Sequence, residues 1–439
     1  MRDFVLLAMI AGALPFAVLH TWIGVLLWNW ISLMNPHKLT WSFAFDAPVA
    51  AAAAGAALLS LFVTRDKLKI RWDAPVVVLL LLVFWMCITT AAAIDPLGSW
   101  EQLSKVLKIQ LMTAVAFAAL HSRKHLELFI WVNVVSVGFF GFKGGIFTIL
   151  TGGSSRVWGP PGGFIEGNNE LAVALVMAIP LMHYLRSVST RASVRLALLG
   201  TMLMCAVAVL GTQSRGALLA IIAMGLVLWI RARKKLAAGI FIAATAASLV
   251  AFMPSSWEER MSTIQAYEED DSATSRLVAW RMTINVANDR LTGGGFGVYT
   301  RAVYDKYMPE ATLPQAAHSI YFSMLGEHGY PGLFLFLLIF ALTYLLAGKL
   351  RRTAAQRAET AWVHMLAGMC QVAIVGFLVG GAFLSLAYYD FAYNIIVMLV
   401  VANRWMAERQ WVDEPTGPFG STSPGAYVSA KPVLEGKLR

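Results

Sequence analysis

The chain has 439 residues, of which 58% are hydrophobic and 14% charged, and a formal net charge of +10. A soluble globular protein keeps about 25% charged residues, so the composition excludes an ordinary soluble fold. The surplus of Lys and Arg does not describe a nucleic-acid surface, because it sits in short clusters between apolar runs, as membrane topology signals do.

The apolar runs are continuous over about 20 residues, the length of a spanning helix, whereas barrel strands alternate over about 10. The expected fold is all-α: a polytopic membrane protein of about 12 transmembrane helices with a long, partly helical outward-facing loop. Residues 4–34 are apolar but interrupted by Pro15 and His20, and read as one broken span or two short ones. They lack a small-residue cleavage pattern and so read as span rather than signal peptide. Further spans are predicted over 44–64, 75–94, 102–120, 126–149, 169–185, 194–211, 215–230, 236–253, 329–348, 361–384 and 387–404. Cys87, Cys205 and Cys370 lie within apolar runs without paired spacing, so neither a disulfide framework nor a zinc site is indicated.

The clusters "RDKLKIR" (65–71), "SRK" (122–124), "RSVSTRASVR" (186–195), "RARKK" (231–235) and "KLRRTAAQR" (349–357) occupy every second connection. The positive-inside rule makes these cytoplasmic and the remaining connections outward-facing. The C-terminus is then cytoplasmic; so is the N-terminus, unless the first region is split, which would put it outside. The expected organisation is a transmembrane bundle over 1–253, a large outward-facing loop over 254–328 carrying candidate functional residues, C-terminal helices over 329–409, and a disordered Pro/Gly/Ser-rich tail over 410–439.

Two outward connections stand out. Residues 151–169 hold six glycines, two prolines, Arg156 and two asparagines. "GNNELA" (167–172) caps a helix through Asn168 or Asn169, and the amide of Asn169 is also suited to sugar hydroxyls. In the long loop, "RLVAWRMTINVANDRL" (276–291) places Leu277, Trp280 and Ile284 at helical spacing, which predicts an amphipathic helix over the membrane face. "TGGGFGVY" (292–299) follows a helix rather than a strand, so it reads as a glycine turn able to approach a ligand rather than a dinucleotide site. "EEDD" (268–271) lacks the spaced ligands of a calcium loop and reads as solvated acid.

The outward face gathers Arg156, Arg215, Arg276, Arg281, His318, Glu327 and His328. Arg215 opens a span in "GTQSRGALLA" with no acid within one turn. It either snorkels to the boundary or faces an interior anion site. Arg276 and Arg281 either bind acidic headgroups or, with Arg156, hold a phosphate or pyrophosphate through bidentate bonds. His318 suits a general base, since neutral imidazole takes a proton from an attacking hydroxyl. Glu327 and His328, just before the bend "GYPG", read as substrate-side groups; Glu327 alternatively orients a helix or forms a structural ion pair with an arginine.

"SRGA" (214–217), "SRLVAW" leading to "GGGFGVY" (275–299) and "HSIYFSMLGEHGYPG" (318–332), in that order, resemble the O-antigen ligase family of bacterial membrane glycan ligases and polymerases. The segment "FKGGIFTILTGGSSRVWGPPGGFIEGNNELA" is similar to a subgroup of exosortase-associated O-glycosylation ligases. The resemblance implies a GT-C-like, metal-independent glycosyltransferase of the inner membrane without cofactor. It implies an undecaprenyl-pyrophosphate-linked glycan donor and a lipid A–core acceptor. It assigns essential roles to Arg215, to Arg276 or Arg281, and to His318. A glycan polymerase, a protein O-glycosylation ligase and a lipid-linked glycan transporter remain as alternatives.

Overall fold

The computed structural model describes residues 1–66, 68–231, 234–251, 254–255 and 271–412. Fifteen α-helices lie among them. In chain order these are α1 (Arg2–Leu19), α2 (Thr21–Met34), α3 (Val49–Val63), α4 (Ala74–Ala91), α5 (Pro96–Ala119), α6 (Arg123–Leu150), α7 (Asn168–Val188), α8 (Ala192–Gly211), α9 (Arg215–Arg231), α10 (Lys235–Ala251), α11 (Asp271–Asp289), α12 (Arg301–Tyr307), α13 (Ile320–Ala354), α14 (Ala361–Gly381) and α15 (Asp390–Ala407). Seven of them, α1, α4, α6, α7, α8, α13 and α14, are long and apolar enough to cross a membrane. The protein is therefore an all-helical, polytopic membrane protein, and a helix lies over every span expected from the sequence. Most of the acidic run at 268–271, and the tail from 413 onward, lie outside the described residues.

The first apolar region is two helices. Pro15 is accommodated inside α1, and the chain breaks at His20, which is extended (φ −130°, ψ 110°). Both helices pack on α3, and Gly24 allows α2 to approach Ala57 closely.

The connections sort to two ends. At one, His20 meets Asp66 (3.2 Å), Lys69 meets Glu408 (2.8 Å), Arg123 stacks on Trp362, and Arg404 donates to the carbonyls of Lys69, Phe117 and Leu120. These are basic connections. At the other end, Val157 N–H donates to Gly211 O (3.0 Å), Ile94 N–H to Gly294 O (2.9 Å), and Ser32 to Asp390. Asp3 accepts from Ala44 N–H, and Arg2 lies over Trp41, so the N-terminus sits at the end opposite the basic connections.

α13 begins at Ile320, so residues 320–328, expected in the loop, are helical. Its opening turn packs on the end of α14: Tyr321 donates to Leu378 O (2.7 Å), and Ile320 lies against Gly381. Further on, the helix reaches the end of α4 and breaks at Gly329 (φ 66°, ψ −172°). The break follows from Pro331, which has no N–H for the carbonyl of Glu327. Three carbonyls lose their helical partners, and each finds another. Gly294 N–H donates to Gly326 O (2.8 Å), Gly295 N–H to Glu327 O (2.9 Å), and Trp85 Nε1 to His328 O (2.8 Å). The backbone that the glycine turn approaches is thus that of α13. Gly295 (φ +84°) is required there, since a Cβ would stand 2.3 Å from Ala93 Cβ.

α11 packs against the protein through a second apolar stripe, beside the one expected over the membrane face. Met282 and Val286 pack with Val298, Val303 and Tyr304, and Ala279 is fully buried, while Leu277 and Ile284 are 49% and 37% exposed. Both stripes are apolar, so periodicity alone does not choose between them. Trp280 lies between the two, donates to Ala317 O (2.8 Å) and stacks on Phe322 at 4.5 Å.

Candidate active site

The "SRG" element is a built turn. Gln213 adopts a left-handed conformation (φ 54°), Ser214 Oγ caps the N–H of Ala217 (3.2 Å), and Arg215 is the first residue of α9. The Gly/Pro-rich loop is clipped onto it. Arg156 Nε donates to Gln213 Oε1 (3.4 Å), Gln213 Nε2 donates to Gly153 O (3.1 Å), and Asn168 Nδ2 donates to Thr212 O (2.8 Å). Arg156 and Arg215 therefore belong to one connected patch. The expected asparagine cap is not formed: Gly167 is the N-cap of α7, and Asn168 is spent on the turn. Asn169 is half-buried beside it, and Glu170 occupies the first turn, where a carboxylate suits the positive end of the helix.

Arg276, half-buried on α11, acts electrostatically on both His318 and Glu170. Arg281, one turn and a residue further on, is exposed and outside this group. The structure thus sets Arg276, and not Arg281, beside the histidine. His318 sits in a left-handed conformation (φ 44°) one residue before the cap of α13. Burial, and then the Arg276 guanidinium, hold its imidazole below the ordinary value.

The end of α14 ties these elements together. At Gly380 a Cβ would lie 2.5 Å from Val173 of α7 and 3.1 Å from Ala220 of α9. Gly381 abuts Ile320, and Phe383 abuts Gly216. Glu170 is three residues from Val173, Arg215 adjoins Gly216, and His318 is two residues before Ile320. The starts of α7, α9 and α13 therefore ring one point at the end opposite the basic connections.

Glu327 and His328 stand apart from this ring, two turns along α13, and are 7% and 0% exposed. His328 Nδ1 is 2.7 Å from Thr89 Oγ1, its Nε2 is 2.8 Å from the Tyr388 hydroxyl, and that hydroxyl donates to Glu327 Oε2. They lie inside the bundle rather than on its outward surface, and they join α4, α13 and the segment before α15 at the helix break. No local signal marks Thr89 or Tyr388 in the sequence. Glu170 was visible as an acid in a first turn, but nothing local pairs it with Arg276. Tyr388→Phe should leave His328 and Glu327 each short of a buried partner. The expected loss is about 1–3 kcal/mol, read as a lower unfolding temperature of the purified protein.

Residues 200–337 match the family described as O-antigen ligase, and residues 1–190 match a family of unknown function. No match was found among curated proteins. The first match holds Arg215, Arg276, Arg281, His318, Glu327 and His328, and the second holds Arg156 and Asn169. Residues 200–337 of this all-helical membrane protein thus carry a domain of the O-antigen ligase family, whose members are ligase- and polymerase-type membrane enzymes, joined to an N-terminal region of a family without assigned function.

Proposed function

We propose that the protein transfers a glycan from undecaprenyl pyrophosphate to a sugar hydroxyl of a lipid A–core acceptor at the periplasmic face of the bacterial inner membrane. The observation that carries this reading is the grouping of Arg276 and His318 beside the start of α9, where Arg215 lies. In this reading the basic end is cytoplasmic. α2, α3, α5, α9, α10 and α15 cross together with the seven apolar spans, one crossing more than the twelve expected because α1 and α2 count separately. The N-terminus is then periplasmic.

Arg215 and Arg276 clamp the pyrophosphate, with Arg156 and Asn169 lining the approach. As the anomeric carbon–oxygen bond breaks, negative charge grows on the departing pyrophosphate, and preformed cations there favour the transition state over the ground state. His318 removes the proton of the acceptor hydroxyl. The resulting oxygen nucleophile attacks the anomeric carbon from the face opposite the leaving group and inverts it. The arginines supply the charge that a divalent ion provides in other glycosyl transfers, so the reaction needs no metal.

Purified protein incubated with lipid-linked glycan and core lipid should yield the joined lipopolysaccharide, with chelator present. Transfer onto a second lipid-linked repeat or onto a protein hydroxyl would replace this acceptor, and no covalent product at all would overturn the transferase reading in favour of a lipid-linked glycan transporter. Arg276→Ala should lower transfer by about 10²–10³-fold, whereas Arg281→Ala should stay within a few-fold of the parent. The reverse order would move the clamp to Arg281.

A further inference from the structure

α5 runs from one end of the bundle to the other. Near its start Ser99 Oγ donates to Phe296 O (2.7 Å) at the glycine turn, and at its far end Arg404 holds the carbonyls of Phe117 and Leu120. It packs against α4, an apolar span. Its 24 residues rise about 36 Å, more than the roughly 30 Å of bilayer hydrocarbon. Yet α5 is not among the apolar spans, because it carries Glu101, Lys105 and Lys108.

These charges share one face. Leu97, Trp100, Glu101, Ser104, Lys105, Lys108 and Leu111 recur at intervals of three and four and are all exposed. That is the stripe along which one helix receives another. Glu101 and Lys105 pair with each other (2.9 Å), whereas Lys108 has no ion-pair partner among the described residues. It stands twelve residues from Pro96, about 18 Å along the helix and so near mid-bilayer. A cation held there is costly unless it is paired. Independently, Gln110 is only 6% exposed and its buried Oε1 has no hydrogen-bond partner. Lys108 and Gln110 line the same groove of about 740 Å³ between α4 and α5, which extends between Trp72 and Trp100.

We propose that this stripe is the docking face for a transmembrane helix of a partner protein carrying a carboxylate at mid-bilayer depth. The carboxylate neutralises Lys108, and apolar side chains of the same helix fill the groove beside it. A second copy of this chain does not suit the face, since a two-fold axis would set Lys108 against Lys108, and the stripe holds two cations to one anion. A lipid chain would fill the groove but leave Lys108 unpaired, and a lipid phosphate at this depth would lie in hydrocarbon. Nothing here depends on the proposed glycan transfer.

The test uses the full chain in nanodiscs of zwitterionic lipid, with fluorescence transfer to leucine–alanine transmembrane peptides bearing a central Glu, Gln or Leu. The Glu peptide should associate roughly tenfold more tightly than the Leu peptide. That preference should vanish with Lys108→Leu and with Lys108→Met, while Lys349→Leu retains it. Equal association of the three peptides, or a preference that survives both Lys108 variants, overturns the proposal. Loss of the preference on adding anionic phospholipid assigns the face to lipid and overturns it too. A dimer of the chain that dissociates with Lys108→Leu assigns the face to a second copy, with the same consequence.

Discussion

Replacing His318 by alanine should lower glycan transfer by about 10²–10⁴-fold, the range for removing a general base, while binding of the lipid-linked donor is kept. The pH dependence gives a sharper readout. Neutral imidazole is the competent form of a base. Burial and the Arg276 guanidinium both disfavour the protonated form and hold His318 below its usual 6.5. Transfer should therefore be complete above pH 6.5 and lost as pH falls through that lowered value. Arg276→Gln removes the cation but not the burial. The acid limb should move upward, toward 6.5 without passing it, and residual activity at high pH should report the clamp alone. An acid limb that stays put in Arg276→Gln would show that the two side chains do not act on each other. Full activity in His318→Ala would remove the base altogether.

Replacing Gly329 by alanine is the second change with a large expected effect, and it touches no reacting group. Gly329 has φ 66° and ψ −172°, a region open essentially to glycine alone. An added Cβ would stand 2.1 Å from Leu291 O and 3.0 Å from Gly293 N, both backbone atoms that cannot swing away. Strain of this kind costs about 1–3 kcal/mol for the dihedral alone, and the clash adds to it. The break in α13 should then shift and unseat the three carbonyl bonds at residues 326–328. Because the helix segment that starts beside His318 ends at this break, the histidine should lose its placement too. We expect a markedly lower unfolding temperature together with lost transfer. Gly297→Ala is the comparison: it also has positive φ, but with open space around its Cβ position. It should be impaired far less. Equal effects of the two substitutions would mean that packing at the break does not matter.

The sequence by itself determined the solvent in which this protein folds and the order of its helices. Continuous apolar runs admit few structures other than helices in hydrocarbon, because every backbone polar group must be satisfied within its own segment. Basic clusters between the runs sorted the connections to two ends for an equally local reason. The residue types of the site were legible as well: an arginine opening a helix without an acid nearby, and a histidine between a polar loop and a span. What the sequence left open required distance. Whether residues 4–34 form one helix or two was decided at His20, where α2 turns back to pack on α3. Which of Arg276 and Arg281 acts on His318 depended on which of two adjacent apolar stripes of α11 faces Val303 and Tyr304, and periodicity is the same for both. Glu327 and His328 looked like surface chemistry from their neighbours in the chain. Their partners, Thr89 and Tyr388, lie 239 and 60 residues from His328, so only the packed bundle could draw them inward. Helix formation depends on neighbours within a turn or two, whereas the meeting of α7, α9 and α13 at the end of α14 depends on close packing at Gly380 and Gly381, and no local rule contains it.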